Sequence, residues 1–121
     1  MPLTQARRQA LLNQEFPISG ATDYIAYSTN GTSETSAVAR TAIGATGWAS
    51  ATAANPSTKS NNASLTSAPA TAIAALTHFA VFGAASGGTQ KTEWEALANP
   101  RTLAVGETVT WAIGELDINL G

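Results

Sequence analysis

The densest apolar run of the chain is Leu76-Thr77-His78-Phe79-Ala80-Val81-Phe82. Leu76, His78, Ala80 and Phe82 fall on one side of an extended chain, and Thr77, Phe79 and Val81 on the other. Both sides are largely hydrophobic, which predicts a strand buried on both faces at the centre of the fold. The Gly/Ser cluster at 83–89 supplies positive φ for a reversal into a further strand over 90–97, where Trp94 and Leu97 need burial. Residues 21–29 alternate around Tyr24, Ile25, Ala26 and Tyr27 and predict a half-buried strand that ends at the turn dipeptide Asn30-Gly31. Residues 38–43 predict another strand, broken by Gly44-Ala45-Thr46-Gly47, with 48–51 free to resume it.

The C-terminal third carries a hairpin pattern. Residues 102–105 run to a turn at Gly106-Glu107, and 108–113 return with Val109, Trp111 and Ile113 on one face. Gly114-Glu115 makes a turn or bulge, and Leu116, Ile118 and Leu120 then alternate with Asp117 and Asn119 in a last strand. Asn99-Pro100 marks a turn, and residues 52–64, rich in Ala, Asn, Ser and Thr, have no periodicity and predict a long loop. One helix is predicted, over 4–14, capped by Thr4 and stopped by Pro17, with a thin apolar stripe of Leu3, Ala6, Ala10 and Leu11. Short strands at regular turn signals imply a mainly β fold: a single-domain antiparallel β-sandwich or small barrel over 21–121, preceded by a helical arm over 1–20.

Composition sharpens this picture at the surface. Charged residues are 12% of the chain against about 25% in an average globular domain. Between Thr41 and Gln90 the only charged side chain, with His neutral, is Lys59. Interface cores are depleted in Lys, Glu and Asp, so a skin this uncharged points to a surface covered by neighbouring protein. The net charge of −2 and the lack of a Lys/Arg stripe argue against nucleic acid. No apolar run reaches the length of about 18 residues that a membrane span needs, and the N-terminus lacks the layout of an export signal.

Little in the chain suggests chemistry. His78 lies within the buried run and is expected to be a satisfied core residue; with no cysteine and no second histidine, a zinc site has no ligand set. Glu93 with Glu95, and Glu115 with Asp117, have the spacing that puts both carboxylates on one strand face, and that face is expected to be the solvated one. No cofactor and no enzyme activity are expected. Arg40 and Arg101 each stand among apolar neighbours and need a partner. For each, that partner is an acid inside the domain, for instance Asp23 or Glu34, or a group across a subunit boundary.

Several segments together resemble a family of small actinobacteriophage virion proteins labelled tail fibre or minor structural protein. The carriers are Tyr24-Ile25-Ala26-Tyr27-Ser28-Thr29, Ala39-Arg40-Thr41-Ala42-Ile43 with Trp48 after it, and Pro69-Ala70-Thr71 leading to the central run and Gly87-Gly88. They continue through Leu97-Ala98-Asn99-Pro100-Arg101-Thr102 and Val105-Gly106-Glu107-Thr108-Val109-Thr110 to Gly114-Glu115-Leu116-Asp117-Ile118. The resemblance implies a structural role in the virion without catalysis. The leading expectation is a decoration protein that binds the outside of the head, bridges major capsid subunits and self-associates as a trimer. The alternative is a tail fibre, or a receptor-binding module with exposed Tyr27, Trp48 or Trp94. Leu3, Arg7, Arg8, Leu11, Arg40, Trp48, Lys59 and Arg101 are the candidate interface residues.

Overall fold

A computed structural model describes residues 3–18, 22–44, 47–54 and 56–120, and of Leu120 the backbone. In chain order the elements are α1 (Gln5–Glu15), β1 (Tyr24–Ser28), β2 (Thr41–Ala42), β3 (Ser57–Ser60), β4 (Leu65–Thr66), β5 (Ala74–Phe82), β6 (Glu95–Leu103), β7 (Thr110–Trp111) and β8 (Asp117–Leu120). The strands form an open four-stranded sheet, β2-β1-β5-β6, and two two-stranded ladders, β3-β8 and β4-β7. Every pairing in the four-stranded sheet and in β3-β8 is antiparallel. The fold is therefore mainly β with one short N-terminal helix; no barrel closes among the described residues, and the open sheets agree with the sandwich class. By internal contacts the chain divides into two compact units. One comprises Met1–Ala21, Ile43–Leu65 and Trp111–Gly121, the other Thr22–Ala42 and Thr66–Thr110.

The second unit is built around β5, where the apolar run predicts the central strand. β5 lies between β1 and β6, and Phe79, Ala80 and Val81 are buried, so both of its faces are covered. Its partner β1 is buried from Ile25 to Ser28, and the Tyr27 phenol meets the Thr41 hydroxyl at 2.7 Å, which satisfies the one polar atom of a wholly buried ring. His78 is half-buried rather than enclosed, with Nδ1 2.8 Å from the Thr77 hydroxyl. The turn after β1 folds over its imidazole. Gly31 has φ +77, and a Cβ there would come within 2.9 Å of the ring, so only glycine closes this turn.

Three expectations fail in this unit. Asn99-Pro100 does not end a strand, because β6 runs through it. Leu76 stands opposite Arg101 and His78 opposite Ala96, so residues 97–100 face Thr77 alone in a bulge. A bulge on an edge strand is one of the few places in a sheet where Pro100, with no N–H to give, does no harm. The strand expected over 90–97 begins only at Glu95, with Gln90 reaching Phe82 in a single bridge. The C-terminal hairpin keeps its turn, with Gly106 at φ +90 and the Glu107 N–H donating to the Ala104 carbonyl at 3.1 Å, but its two arms part company. β6 joins β5, while the chain from 107 to 109 runs beside 67 to 70, the Ser67 N–H donating to the Val109 carbonyl and the Val109 N–H to the Ser67 hydroxyl, both at 2.8 Å. Val109 and Trp111 are buried as expected; Ile113 is not, at 68% exposed.

In the first unit, α1 starts as predicted, with Thr4 Oγ1 accepting the Arg7 N–H at 3.3 Å. Its buried side differs: Arg8 and Leu12 face inward and Phe16 follows, while Leu3, Ala6, Ala10 and Leu11 are exposed. Two alanines offer little area, whereas Leu12 and Phe16 each remove a large side chain from water, so the larger pair decides the orientation. The expected loop over 52–64 contains β3, which pairs with β8 from Ser57↔Leu120 to Ser60↔Asp117. The last strand is as expected, with Leu116 and Ile118 buried and Asp117 and Asn119 exposed. Ala21 of the first predicted strand, Ala45-Thr46 of the predicted break and the Leu120 side chain lie outside the described residues.

Asn61, which carries no sequence signal, organises the end of this ladder. Its Nδ2 donates to the Ala63 and Ala112 carbonyls at 2.9 and 2.8 Å, and its Oδ1 accepts the Leu116 N–H at 3.0 Å. Its backbone also exchanges bonds with Leu116 and Gly114.

Candidate functional site

The eight residues expected to face a partner separate into two groups. Leu3 just before α1, Arg7 and Leu11 on it, and Arg101 on the edge strand β6 are all exposed. Arg101 therefore needs no protein partner, because water solvates its charge. Arg8, Trp48 and Lys59 are buried inside the first unit, and the Arg40 side chain is only 6% exposed in the second. For these four the chain's own interior supplies the contacts.

Arg40 is the most completely engaged. Its Nε and Nη2 donate to the two Glu34 carboxylate oxygens at 2.9 and 2.8 Å, the fork-to-fork geometry that suits a guanidinium. Nη1 donates to the carbonyls of Ala84 and Gly87 at 2.9 and 2.8 Å, which holds the Gly-rich loop after β5 against the sheet. The guanidinium carbon lies 4.0 Å from the centroid of the Phe82 ring, and that ring meets Trp94 at 6.0 Å. The Glu34 bond raises the Arg40 pKa above its ordinary value, outweighing the burial that opposes it. Glu34 was one of the two internal partners expected; the other, Asp23, pairs with Lys91 at 2.7 Å. Arg40→Lys is expected to destabilise the protein by about 1–2 kcal/mol, since an ammonium cannot grip a carboxylate and two carbonyls in one plane. Chemical denaturation of both proteins checks it, with proteolysis in the 83–89 loop as the local readout.

Beneath α1 lies a second polar cluster. Arg8 donates to the carbonyls of Leu3 and Ala54, Gln9 Nε2 to the Ala51 carbonyl at 2.9 Å, and Lys59 Nζ to Asn13 Oδ1 at 2.6 Å. The Ala51 N–H donates to the same Asn13 oxygen at 3.0 Å. Burial pushes the Lys59 pKa below its ordinary value.

Of the three aromatics that a sugar-gripping surface would use, Tyr27 and Trp48 are wholly buried and Trp94 is half-buried against Phe82. They form no exposed stacking platform. Glu93, Glu95, Glu115 and Asp117 are all solvent-exposed. Among the described residues no three His, Cys, Asp or Glu side chains gather where a metal ion could bind, and no helix is long and apolar enough to cross a membrane.

Apolar surface missed in the sequence lies elsewhere. Ile73, 74% exposed, directly precedes β5, and Val105, 65% exposed, follows β6; the pairing Ala74↔Leu103 puts both at the same end of the sheet. Val105 closes the run 102–105 that predicts a strand, and Ile73 lies just before the central apolar run, so periodicity carries no sign of their exposure.

The described residues thus show a small mainly β protein with no metal cluster and no stacking platform on its surface, and a match over most of the chain gives its class, a structural protein of a phage virion. Residues 18–119 match the family model described as podophage GP4 fiber I protein gp80, and the chain belongs to that family. Among curated proteins no sequence matches it.

Proposed function

We propose that this chain is a fibre component of the phage particle, attached to it through protein–protein contacts and self-associating around a symmetry axis as a trimer. The match of residues 18–119 to a family described as a fibre protein carries this reading. The exposed Leu3 and Leu11, before and on α1, and the exposed Ile73 and Val105 at one sheet end supply apolar contact surface, and the shortage of charge keeps its desolvation cheap. Contacts that are individually weak gain from repetition, because each copy raises the effective concentration of the next.

A second reading places the chain on the outside of the head as a decoration protein bridging major capsid subunits. It is favoured by the scarcity of charge, 12% of the chain, since a protein that bridges subunits is covered by neighbours on more than one side. Electron cryo-microscopy of the intact particle, with gold-labelled antibody to this chain, separates the two. Density and label confined to the tail are the expected result; label spread over the capsid lattice supports decoration instead, and absence from the particle overturns both.

A further inference from the structure

The underside of α1 holds an amine and a carboxamide in contact. Lys59 is wholly buried on β3, its Nζ lies 2.6 Å from Asn13 Oδ1, and among the described residues no carboxylate pairs with it. A buried ammonium with a single neutral acceptor is a poorly satisfied charge. We propose that Lys59 and Asn13 join in an intramolecular isopeptide bond that fastens α1 covalently to β3.

The surroundings suit each part of the reaction. Burial lowers the Lys59 pKa, which enlarges the share of neutral amine, the form that attacks. The Ala51 N–H, 3.0 Å from Asn13 Oδ1, polarises the carboxamide and stands where negative charge gathers as the carbon becomes tetrahedral. The lone pair of neutral Nζ forms a bond to Asn13 Cγ while the carbonyl π pair moves onto Oδ1. Collapse of that intermediate restores the carbonyl and breaks the Cγ–Nδ2 bond. Nδ2 takes up a proton released by Nζ and leaves as ammonia. One C–N bond forms and one breaks, and no oxidant, reductant or co-reactant is needed.

The bond would answer a weakness in the way α1 is held. Within the helix only Arg8 and Leu12 are buried, so much of the attachment rests on hydrogen bonds donated by Arg8 and Gln9 and accepted by Asn13. Such bonds exchange readily with water when the helix lifts.

Intact-mass spectrometry of the purified full chain tests this directly, before any variant is made. The expected chain is lighter than its sequence by one ammonia. Trypsin then yields peptides 9–40 and 41–91 as one branched species, uncut after Lys59. Lys59→Arg and Asn13→Ala each restore the full mass. Asn30-Gly31 can also shed ammonia by closing to a succinimide, so Asn30→Ser and treatment with hydroxylamine are run in parallel. A full-mass wild-type chain giving separate peptides 41–59 and 60–91 overturns the proposal. So does a loss of ammonia that persists in Lys59→Arg, disappears in Asn30→Ser or is cleaved by hydroxylamine.

Discussion

Trp48→Ala is expected to destabilise the protein by about 3–5 kcal/mol, the cost of emptying a large, fully enclosed aromatic site. Trp48 is 0% exposed, and its ring meets Phe16 edge-on with centroids 5.4 Å apart. Phe16 is the C-cap of α1, so the indole supports the end of the helix as well as the interior of the first unit. Alanine removes the ring and leaves Phe16 facing a void that a short helix cannot collapse to fill. Trp48→Phe keeps an edge for Phe16 and is expected to lose less than half as much. Urea denaturation followed by far-ultraviolet circular dichroism measures both. A Trp48→Ala protein within 1 kcal/mol of wild type, on the scale of an ordinary surface change of about 0.5 kcal/mol, would mean that the indole is not enclosed as described.

Asn61→Leu is the second large effect, expected at about 2–4 kcal/mol. Leucine is close in size but makes none of the three side-chain bonds. The loss is uneven: the N–H of wholly buried Leu116 is left without its acceptor, while the carbonyls lost by Nδ2 belong to the exposed residues Ala63 and Ala112, where water can replace it. Asn61→Asp retains the acceptor for Leu116 yet sets a carboxylate oxygen where Nδ2 faces two carbonyls, and is expected to be no better. The neighbouring Asn62→Ala, on an exposed side chain, is the control and should stay within about 0.5 kcal/mol of wild type. Trp48 and Asn61 face each other across a β-bridge, so the double variant should fall short of the sum of the two single losses.

Asn61 also shows where sequence reading stops. Strand β3 is Ser57-Thr58-Lys59-Ser60, and the inward positions are Ser57 and Lys59. A pattern method looks for apolar residues at every second place; here the buried places are polar and pay their way through hydrogen bonds that only the folded partners provide. Nothing in residues 52–64 announces a strand, and the segment reads as loop. The same holds for β6, where Asn99-Pro100 has the composition of a turn and the fold uses it as a bulge. A dipeptide states which dihedral angles are easy; it does not state whether the chain reverses or only kinks.

The interface candidates divide along the same line. A lone cation among uncharged neighbours is visible as an anomaly, which singles out Arg40, Lys59 and the exposed Arg101 alike. Whether such a cation meets a neighbour or its own chain depends on residues far away in sequence. Glu34, Ala84 and Gly87 close around Arg40, and Asn13 around Lys59. Exposed Ile73 and Val105 were missed for the converse reason, since an apolar residue beside a strand is read as part of the core until its neighbours are known.

What the chain alone determines is its class and its centre: a mainly β protein with a short capped helix, built around the two-sided apolar run of β5, with charge on only 12% of its residues. These are properties of local periodicity and composition, and they survive without knowledge of any partner. Which strands pair, which side of α1 turns inward and where each buried polar group finds its bond were decided by the tertiary structure. Hydrogen bonds and packing reward contacts between distant residues, and their energy exists only once both partners are in place.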